Sequence, residues 1–333
     1  MTGTKLVMGA SGFLGSHVTR KLVDRGDDVR VWIRESSSTV AFDDLQVERR
    51  YGDLGDQVAL REAMRGAETV FYCIVDARAW LRDPTPLFAT NVEALRGVLD
   101  VAVEVGVPKF VFCSTVGTIG LAEDGPAHEE LPHNWRHLGG PYIESRLQAE
   151  ELVLACQRDR GLPAVVLNVG TTYGPRDHVP TPHGKLVRAA ARGKMPAYVR
   201  GASMEVVGVE DAATAFLLAE ETGRIGERYI VSESYLPIKE LFAIAADEGG
   251  VRPPRIGIPM PVMRVIGAVG GAVSRLRGTD SVVTPTSVRL MHIQSALDHS
   301  KATRELGWVP APTEQAIRAG VRWFLDEDRG TSA

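Results

Sequence analysis

The sequence predicts an α/β protein built on a doubly wound parallel sheet, with a smaller C-terminal substrate domain. Three observations carry this. Short β-branched runs alternate with helical stretches through the first half of the chain. The runs are almost continuously apolar, as strands covered on both faces must be. A glycine-rich turn, "GASGFLG", joins the first run to its helix.

"KLVMGA" reads as the first strand, and "FLGSHVTRKLVDRG" as a helix with Phe13, Leu14, His17, Val18, Lys21 and Leu22 near helical spacing and Gly26 as its stop. "DVRVWIR", "QVERRYGD" and "TVFYCIV" read as the next three strands. A helix over "LFATNVEALRGVLDVAVEVG" precedes a fifth strand, "KFVFCST". "YIESRLQAEELVLACQRDRG" is a helix closed by Gly161, followed by a sixth strand, "AVVLNV". After Gly174 the chain turns Pro-, Gly- and basic-rich. It returns to strand-then-helix at "SMEVVGVEDAATAFLLAEE", adds a short strand at "RYIVSES", and is mainly helical thereafter. The division this implies is a nucleotide domain over residues 1–175, with returning segments near 203–232, and a mainly substrate-binding part over 176–333.

At 333 residues with 44% hydrophobic and 24% charged residues, the composition is that of a soluble globular protein. A net charge of -4 offers no nucleic-acid partner. The N-terminus shows no cleavable signal pattern. Cys73, Cys113 and Cys156 lie in apolar surroundings without metal-like spacing, so reduced core thiols in a cytoplasmic protein are expected. The apolar stretch from Ile258 to Leu276 is interrupted by Arg264 and is too short to span a bilayer. It reads as a buried or pocket-lining helix in preference to a membrane contact.

Gly9, Gly12 and Gly15 sit between the first strand and its helix. A tight turn, close approach to a pyrophosphate and close helix–strand packing all demand small residues there. The helix N-terminus then offers free N–H groups and a positive dipole end. In this context the pattern marks a Rossmann-type dinucleotide site.

The G-x-x-G-x-x-G spacing resembles the extended short-chain dehydrogenase/reductase (NAD-dependent epimerase/dehydratase) family. "GDL" at Gly52–Leu54, "CIVDA" at Cys73–Ala77, "NVEAL" from Asn91, "FVFCSTVGTIG", "PYIESRLQAE" and "SKATRELGW" resemble its further motifs in chain order. "GPRDHVPTPHGKLVRAAARGKMPAY" and "GRIGERYIVS" are similar to its hopanoid-associated sugar epimerase-like, dihydroflavonol 4-reductase and 3β-hydroxysteroid dehydrogenase branches. The resemblance implies a cofactor site of Gly9, Ser11, Gly12, Phe13, Leu14 and Gly15, with Asp53 and Leu54 at the adenine. Ile74, Val75 and Asp76 would lie under the cofactor, joined by Asn91, Ser114, Asn168 and Thr171. It also implies catalysis by Thr115, Tyr142 and the residue four beyond, and a possible homodimer through the helices holding Asn91 and Tyr142.

That last position departs from the family, which has Lys where this chain has Arg146. Residues four apart share a helix face. A phenol titrating near ~10 is a poor base at neutral pH unless a cation lowers it. Arg146 brings that cation and forked donors for a ribose, but it cannot readily pass a proton. At the end of the second strand, Arg34 and Ser36 favour the 2′-phosphate of NADP(H), while Glu35 leaves NAD(H) open.

Asp76, Arg78 and Trp80, and Thr171, Thr172 and Tyr173, are expected on the substrate side. Met195, Tyr198 and Met204 are candidate apolar walls. His128, His133 and His137 read as part of a solvated lid, and no metal site is expected. The leading function is interconversion of a ketone and a secondary alcohol on a fairly apolar small-molecule substrate. A sugar-nucleotide epimerase or dehydratase, with Arg176, Lys185, Arg188 and Arg200 for a pyrophosphate, is the alternative. A non-catalytic nucleotide sensor is the third.

Overall fold

The computed structural model describes residues 3–291, 293 and 295–330. In chain order the first half contains β1 (Thr4–Met8), α1 (Phe13–Arg25), β2 (Val29–Ile33), β3 (Glu48–Tyr51), α2 (Gln57–Met64), β4 (Ala67–Tyr72) and α3 (Thr85–Phe88). A π-helical stretch, Ala89–Ala94, joins α3 to α4 (Leu95–Val105). Then come β5 (Lys109–Thr115), α5 (Arg136–Arg160), β6 (Ala164–Val169), β7 (Thr171–Tyr173), α6 (Pro182–Ala191), β8 (Ala197–Val199) and β9 (Ser203–Gly208). The chain closes with α7 (Val209–Glu221), β10 (Arg228–Val231), β11 (Ser234–Pro237), α8 (Ile238–Glu248), β12 (Ile256–Ile258), α9 (Met260–Arg277), α10 (Pro285–Leu290), α11 (Ser300–Leu306) and α12 (Thr313–Gly330).

Seven strands form one parallel sheet in the order β10-β6-β5-β4-β1-β2-β3. The order reverses between β1 and β4, which opens a crevice at the carboxyl ends of the central strands. Alternate strand residues feed two cores. Val7, Val31, Phe71, Val111 and Val165 pack beneath α1 and α7, while Leu6, Trp32, Val70, Phe110 and Val166 pack beneath α2, α4 and α5. A third core joins α6, α8 and α12 to the small sheet β11-β9-β7.

Three features differ from the expectations. The fourth strand ends at Tyr72, so Cys73–Val75 leaves the sheet. The helix carrying Tyr142 starts earlier but breaks at Gly140 (φ 69°, ψ −174°). That backbone is open to glycine alone, and a Cβ there would also meet the Thr286 side chain at 2.7 Å. Pro141 then restarts the helix from its first position, which Pro tolerates. Finally, α9 is not buried. Only Met263, Gly267, Gly271 and Ser274 face the protein, and Val265, Val269 and Leu276 are 62%, 57% and 87% exposed. Its small inward residues let it lie close on α10, leaving the bulky apolar ones outside.

His17 ties α1 to the far edge of the crevice: its Nε2–H donates to the Pro175 carbonyl at 3.1 Å, with Phe13 edge-on at 5.4 Å. Burial pushes its pKa down to about 4, and Arg20 and Arg176 push the same way. The unfolded chain therefore takes up a proton that the folded chain refuses. The His17 contribution is complete above about 6.5, the unfolded value, and fades as pH falls toward about 4. The difference amounts to about 3 kcal/mol. Denaturant unfolding of His17→Gln across that window is expected to show a flatter acid limb than wild type. An equally steep limb would assign the acid sensitivity elsewhere.

Candidate active site

The turn after β1 is built by close approach. A Cβ on Gly15 would collide with the Gly9 carbonyl, and Gly9 itself has φ 94° against the Cys73–Ile74 backbone. The α1 N-terminus has no side-chain cap and no acid in its first turn, so its dipole end faces the crevice uncompensated. Ser11, Phe13 and Leu14 are partly exposed around it. Across the crevice, Ile74 is partly exposed and Val75 is 43% exposed, an apolar ledge at the end of β4. Arg34, Glu35 and Ser36 are exposed beyond β2, and neither Arg34 nor Glu35 has an ion-pair partner among the described residues. Asp53 is exposed and Leu54 leans on the core. On the other side of the crevice Thr171 begins β7, just after β6, and is partly buried.

Tyr142 occupies the second position after the helix restart and is partly exposed. Its hydroxyl meets the Thr115 side chain. Thr115 Oγ1 also accepts from Gly117 N at 3.2 Å, so the same hydroxyl satisfies its own turn and reaches the tyrosine. One helical turn on, Arg146 is only 2% exposed. Its Nη2 donates to the Cys113 carbonyl at 2.6 Å, and its guanidinium lies 5.4 Å from the centre of the Phe112 ring. Nε and Nη1 have no partner among the described residues, nor does the buried Tyr72 hydroxyl, which shares this electrostatic neighbourhood.

Burial lifts the Tyr142 pKa above its ordinary value, and Arg146 is the strongest influence pulling it down, followed by Thr115. Arg146 thus lowers the Tyr142 pKa as expected, but desolvation outweighs the cation and the net shift is upward.

Two buried polar networks hold this constellation. Asn91 Oδ1 accepts from Asp76 N at 2.8 Å, and its Nδ2 donates to Asp76 O at 2.9 Å and Ser145 Oγ at 3.0 Å. It clamps the end of β4 to the helix of Tyr142, so its amide is occupied rather than aimed at a cofactor. Glu150 accepts from Ser114 Oγ (2.5 Å), Thr118 Oγ1 (2.8 Å), Asn168 Nδ2 (2.7 Å) and Arg228 Nη1 (2.8 Å). Ser114 and Asn168 thus stand behind the site, not in it. Asp76 is held by Arg78 at 2.5 Å. Glu150 was not among the expected residues, although it falls on the buried stripe of α5 with Ile143, Arg146 and Val153.

The substrate side also differs from expectation. Met195, Tyr198 and Met204 pack into the core around α6 and α8. In the segment holding the three histidines, His128 and His137 are exposed, while His133 is half-buried with its ring 4.8 Å from that of the buried Trp135, whose Nε1 donates to Ile119 O at 2.9 Å. A small cavity beside Val116 is walled by Ile119, Leu121, Trp135, Ile293 and Leu297, with Glu205 and Ser295 as its polar groups. Glu205 accepts from Ser232 Oγ at 2.5 Å and Leu297 N at 2.9 Å, and burial pushes its pKa up to about 7. A lone acid within the apolar run "SMEVVG" was the available signal.

The NAD dependent epimerase/dehydratase family model matches residues 5–232. The chain belongs to this family. It is an NAD(P)-dependent enzyme of the extended short-chain dehydrogenase/reductase kind. "Sterol demethylase protein B" of Methylococcus capsulatus is 32% identical, covering 97% of this chain and 98% of that protein. "Putative dihydroflavonol 4-reductase" of Synechocystis sp. is 30% identical over 96% of this chain and 93% of its own. Among solved structures, gox2253 superposes with a TM-score of 0.87 at 35% identity, covering 98% of this chain and 99% of that one.

Removing one partner of a buried, hydrogen-bonded ion pair leaves the other charge unanswered, at about 3 kcal/mol or more. Glu150→Ala is accordingly expected to lose about 3 kcal/mol in chemical denaturation. Removing the exposed Arg96, 3.9 Å from Glu93, should change stability by less than ~0.5 kcal/mol. Equal effects from the two variants would show that Glu150 holds nothing.

Proposed function

We propose that this enzyme interconverts a ketone and a secondary alcohol on a fairly apolar substrate, with NADP(H) favoured over NAD(H). The observation that carries the reading is the Thr115–Tyr142 hydroxyl pair set one helical turn above a buried guanidinium with two unpartnered nitrogens. Those orphaned donors, the glycine turn and the uncapped α1 N-terminus fit a dinucleotide. Gly9, Ser11, Gly12, Phe13, Leu14 and Gly15 would hold its pyrophosphate, Asp53 and Leu54 its adenine, Ile74 and Val75 its underside, and Arg146 its ribose hydroxyls, with Thr171 nearby. Arg34 and Ser36 would take a 2′-phosphate. Residues 1–175 with 203–232 would carry the cofactor and 176–333 most of the substrate contacts.

When bound, the nicotinamide supplies or accepts the hydride. Tyr142 gives its proton to the oxygen that becomes the alcohol, or removes it in reverse. Thr115 holds that oxygen in place. Arg146 stabilises the phenolate by charge but does not relay the proton. Water or a ribose hydroxyl reaching Tyr142 directly would restore its proton.

The apolar wall of Ile119, Leu121 and Trp135 speaks for a neutral substrate over a nucleotide sugar, although the space it encloses is only water-sized. So does the disposition of the cations suggested for a pyrophosphate. Arg188 is paired with Asp328, Arg176 lies 3.7 Å from Asp44, and Arg200 sits against Gly257. Relatives named for a sterol and for a dihydroflavonol, both neutral ring compounds, agree with it.

Tyr142→Phe is expected to abolish ketone reduction, read as NADPH absorbance, while cofactor affinity stays within about fivefold, because one neutral hydroxyl is worth about 1 kcal/mol or less. Wild-type turnover by this variant would remove Tyr142 from the chemistry. Across a homologous ketone series, affinity should strengthen by roughly 0.8 kcal/mol per buried CH₂. A flat series, with isomerisation of nucleotide sugars and no net cofactor change, would select the epimerase. Arg34→Ala should weaken NADP more than NAD; tighter NAD binding untouched by that change would reverse the cofactor assignment.

A further inference from the structure

Fifteen large hydrophobic residues are exposed among those described, and six of them lie on α9: Val262, Val265, Ile266, Val269, Val273 and Leu276. At 100° per residue they fall on one broad face, opposite the buried Met263, Gly267 and Ser274. Ile256, 66% exposed, and Val282, 58% exposed, flank the helix at either end. Apolar surface gathered in this way marks an interaction site.

The charge around it is one-sided. From Gly249 to Thr279 the chain holds five arginines, Arg252, Arg255, Arg264, Arg275 and Arg277, and no Asp or Glu, within a protein of net charge -4. All five are exposed, and none has an ion-pair partner among the described residues. On the helical projection the exposed Ala268 and Ala272 widen the apolar face on one side, where Arg264 and Arg275 border it, and Arg277 borders the other side. Their aliphatic stems can lie along the apolar strip while the guanidinium groups rise from it. No helix of the described residues is long and apolar enough to cross a membrane.

We propose that α9 is an interfacial helix that docks this chain on an anionic lipid surface, its apolar face set into the headgroup boundary and its arginines on the phosphates. A second copy of the chain would bring the same unpaired arginines against themselves, which disfavours self-association through this face. The position of α9 gives docking a consequence. It packs on α10, and Thr286 of α10 abuts Gly140, two residues before Tyr142. Asp280, just past α9, accepts from Arg82 N at 3.0 Å in the loop that follows β4. A lipid-bound α9 would hold the substrate side of the crevice at the membrane, where an apolar substrate concentrates. Docking itself does not depend on the reaction assigned above and is measured without turnover.

The test is flotation of the full chain with vesicles of phosphatidylcholine alone and of phosphatidylcholine with about one-third phosphatidylglycerol. Flotation with the anionic vesicles only, weakening as salt rises, is expected. Arg275→Ala and Arg277→Ala should each lower partitioning by about fivefold, and Val265→Asn with Val269→Asn by about tenfold or more. These side chains point outward, so thermal melts should match wild type and confirm folding. Three results would overturn the proposal: wild type that does not float with anionic vesicles, flotation indifferent to both sets of variants, or a wild-type dimer in light scattering that the asparagine variant abolishes.

Discussion

A guanidinium buried to 2% exposure without a carboxylate is the constraint around which this site is organised. Such a charge survives desolvation only if something answers it. Within the chain the answer is partial: one carbonyl, Cys113 O, and the face of Phe112. A buried carboxylate was available one turn away in Glu150, but Ser114, Thr118, Asn168 and Arg228 already surround it. Arg146 is therefore left with two buried donor nitrogens, Nε and Nη1, that no group among the described residues answers. The break at Gly140, the restart at Pro141 and the Asn91 clamp all serve to place Tyr142 above it.

The electrostatics have two levels. In the interior, burial raises Tyr142 and the Arg146 charge resists that rise, so the phenol stays protonated at neutral pH. Under the proposed reaction this would suit an acid in the reductive direction, and alcohol oxidation would favour alkaline conditions. At the surface, unpaired arginines surround an apolar helix on a protein that is otherwise net negative. The first arrangement is local and directional, as the proposed dinucleotide site requires; the second is a diffuse attraction suited to a headgroup surface.

Much of the fold was legible because its signals are local. Continuous apolar strands, the glycine turn and the Tyr–Arg spacing each depend on neighbours within one turn or one strand. The features that were not legible depend on distant packing. Ser114 and Asn168 have the chemistry of cofactor contacts, but Glu150, 36 and 18 residues away, orients them inward. Gln57–Met64 is a helix of only eight residues, held by the Asp56 cap and by packing of Leu60, Ala63 and Met64, and its apolar stripe covers barely one turn. The α9 segment has a core-like composition, yet its glycines, rather than its valines, make the contact with α10. Composition reports that a helix is apolar; only packing decides which face is covered.

The central claim is that Arg146 is kept buried and incompletely paired in order to bind the cofactor. Calorimetric titration of NADP⁺ into wild type and Arg146→Met tests it most directly, since Met keeps the side-chain volume and removes the charged donors. Loss of charge-assisted hydrogen bonds is worth about 1.5–3 kcal/mol, a weakening of roughly tenfold or more. The account predicts that loss in a variant that melts no lower than wild type, because an unpaired buried charge has been removed. Unchanged NADP⁺ affinity in a folded Arg146→Met protein would contradict it.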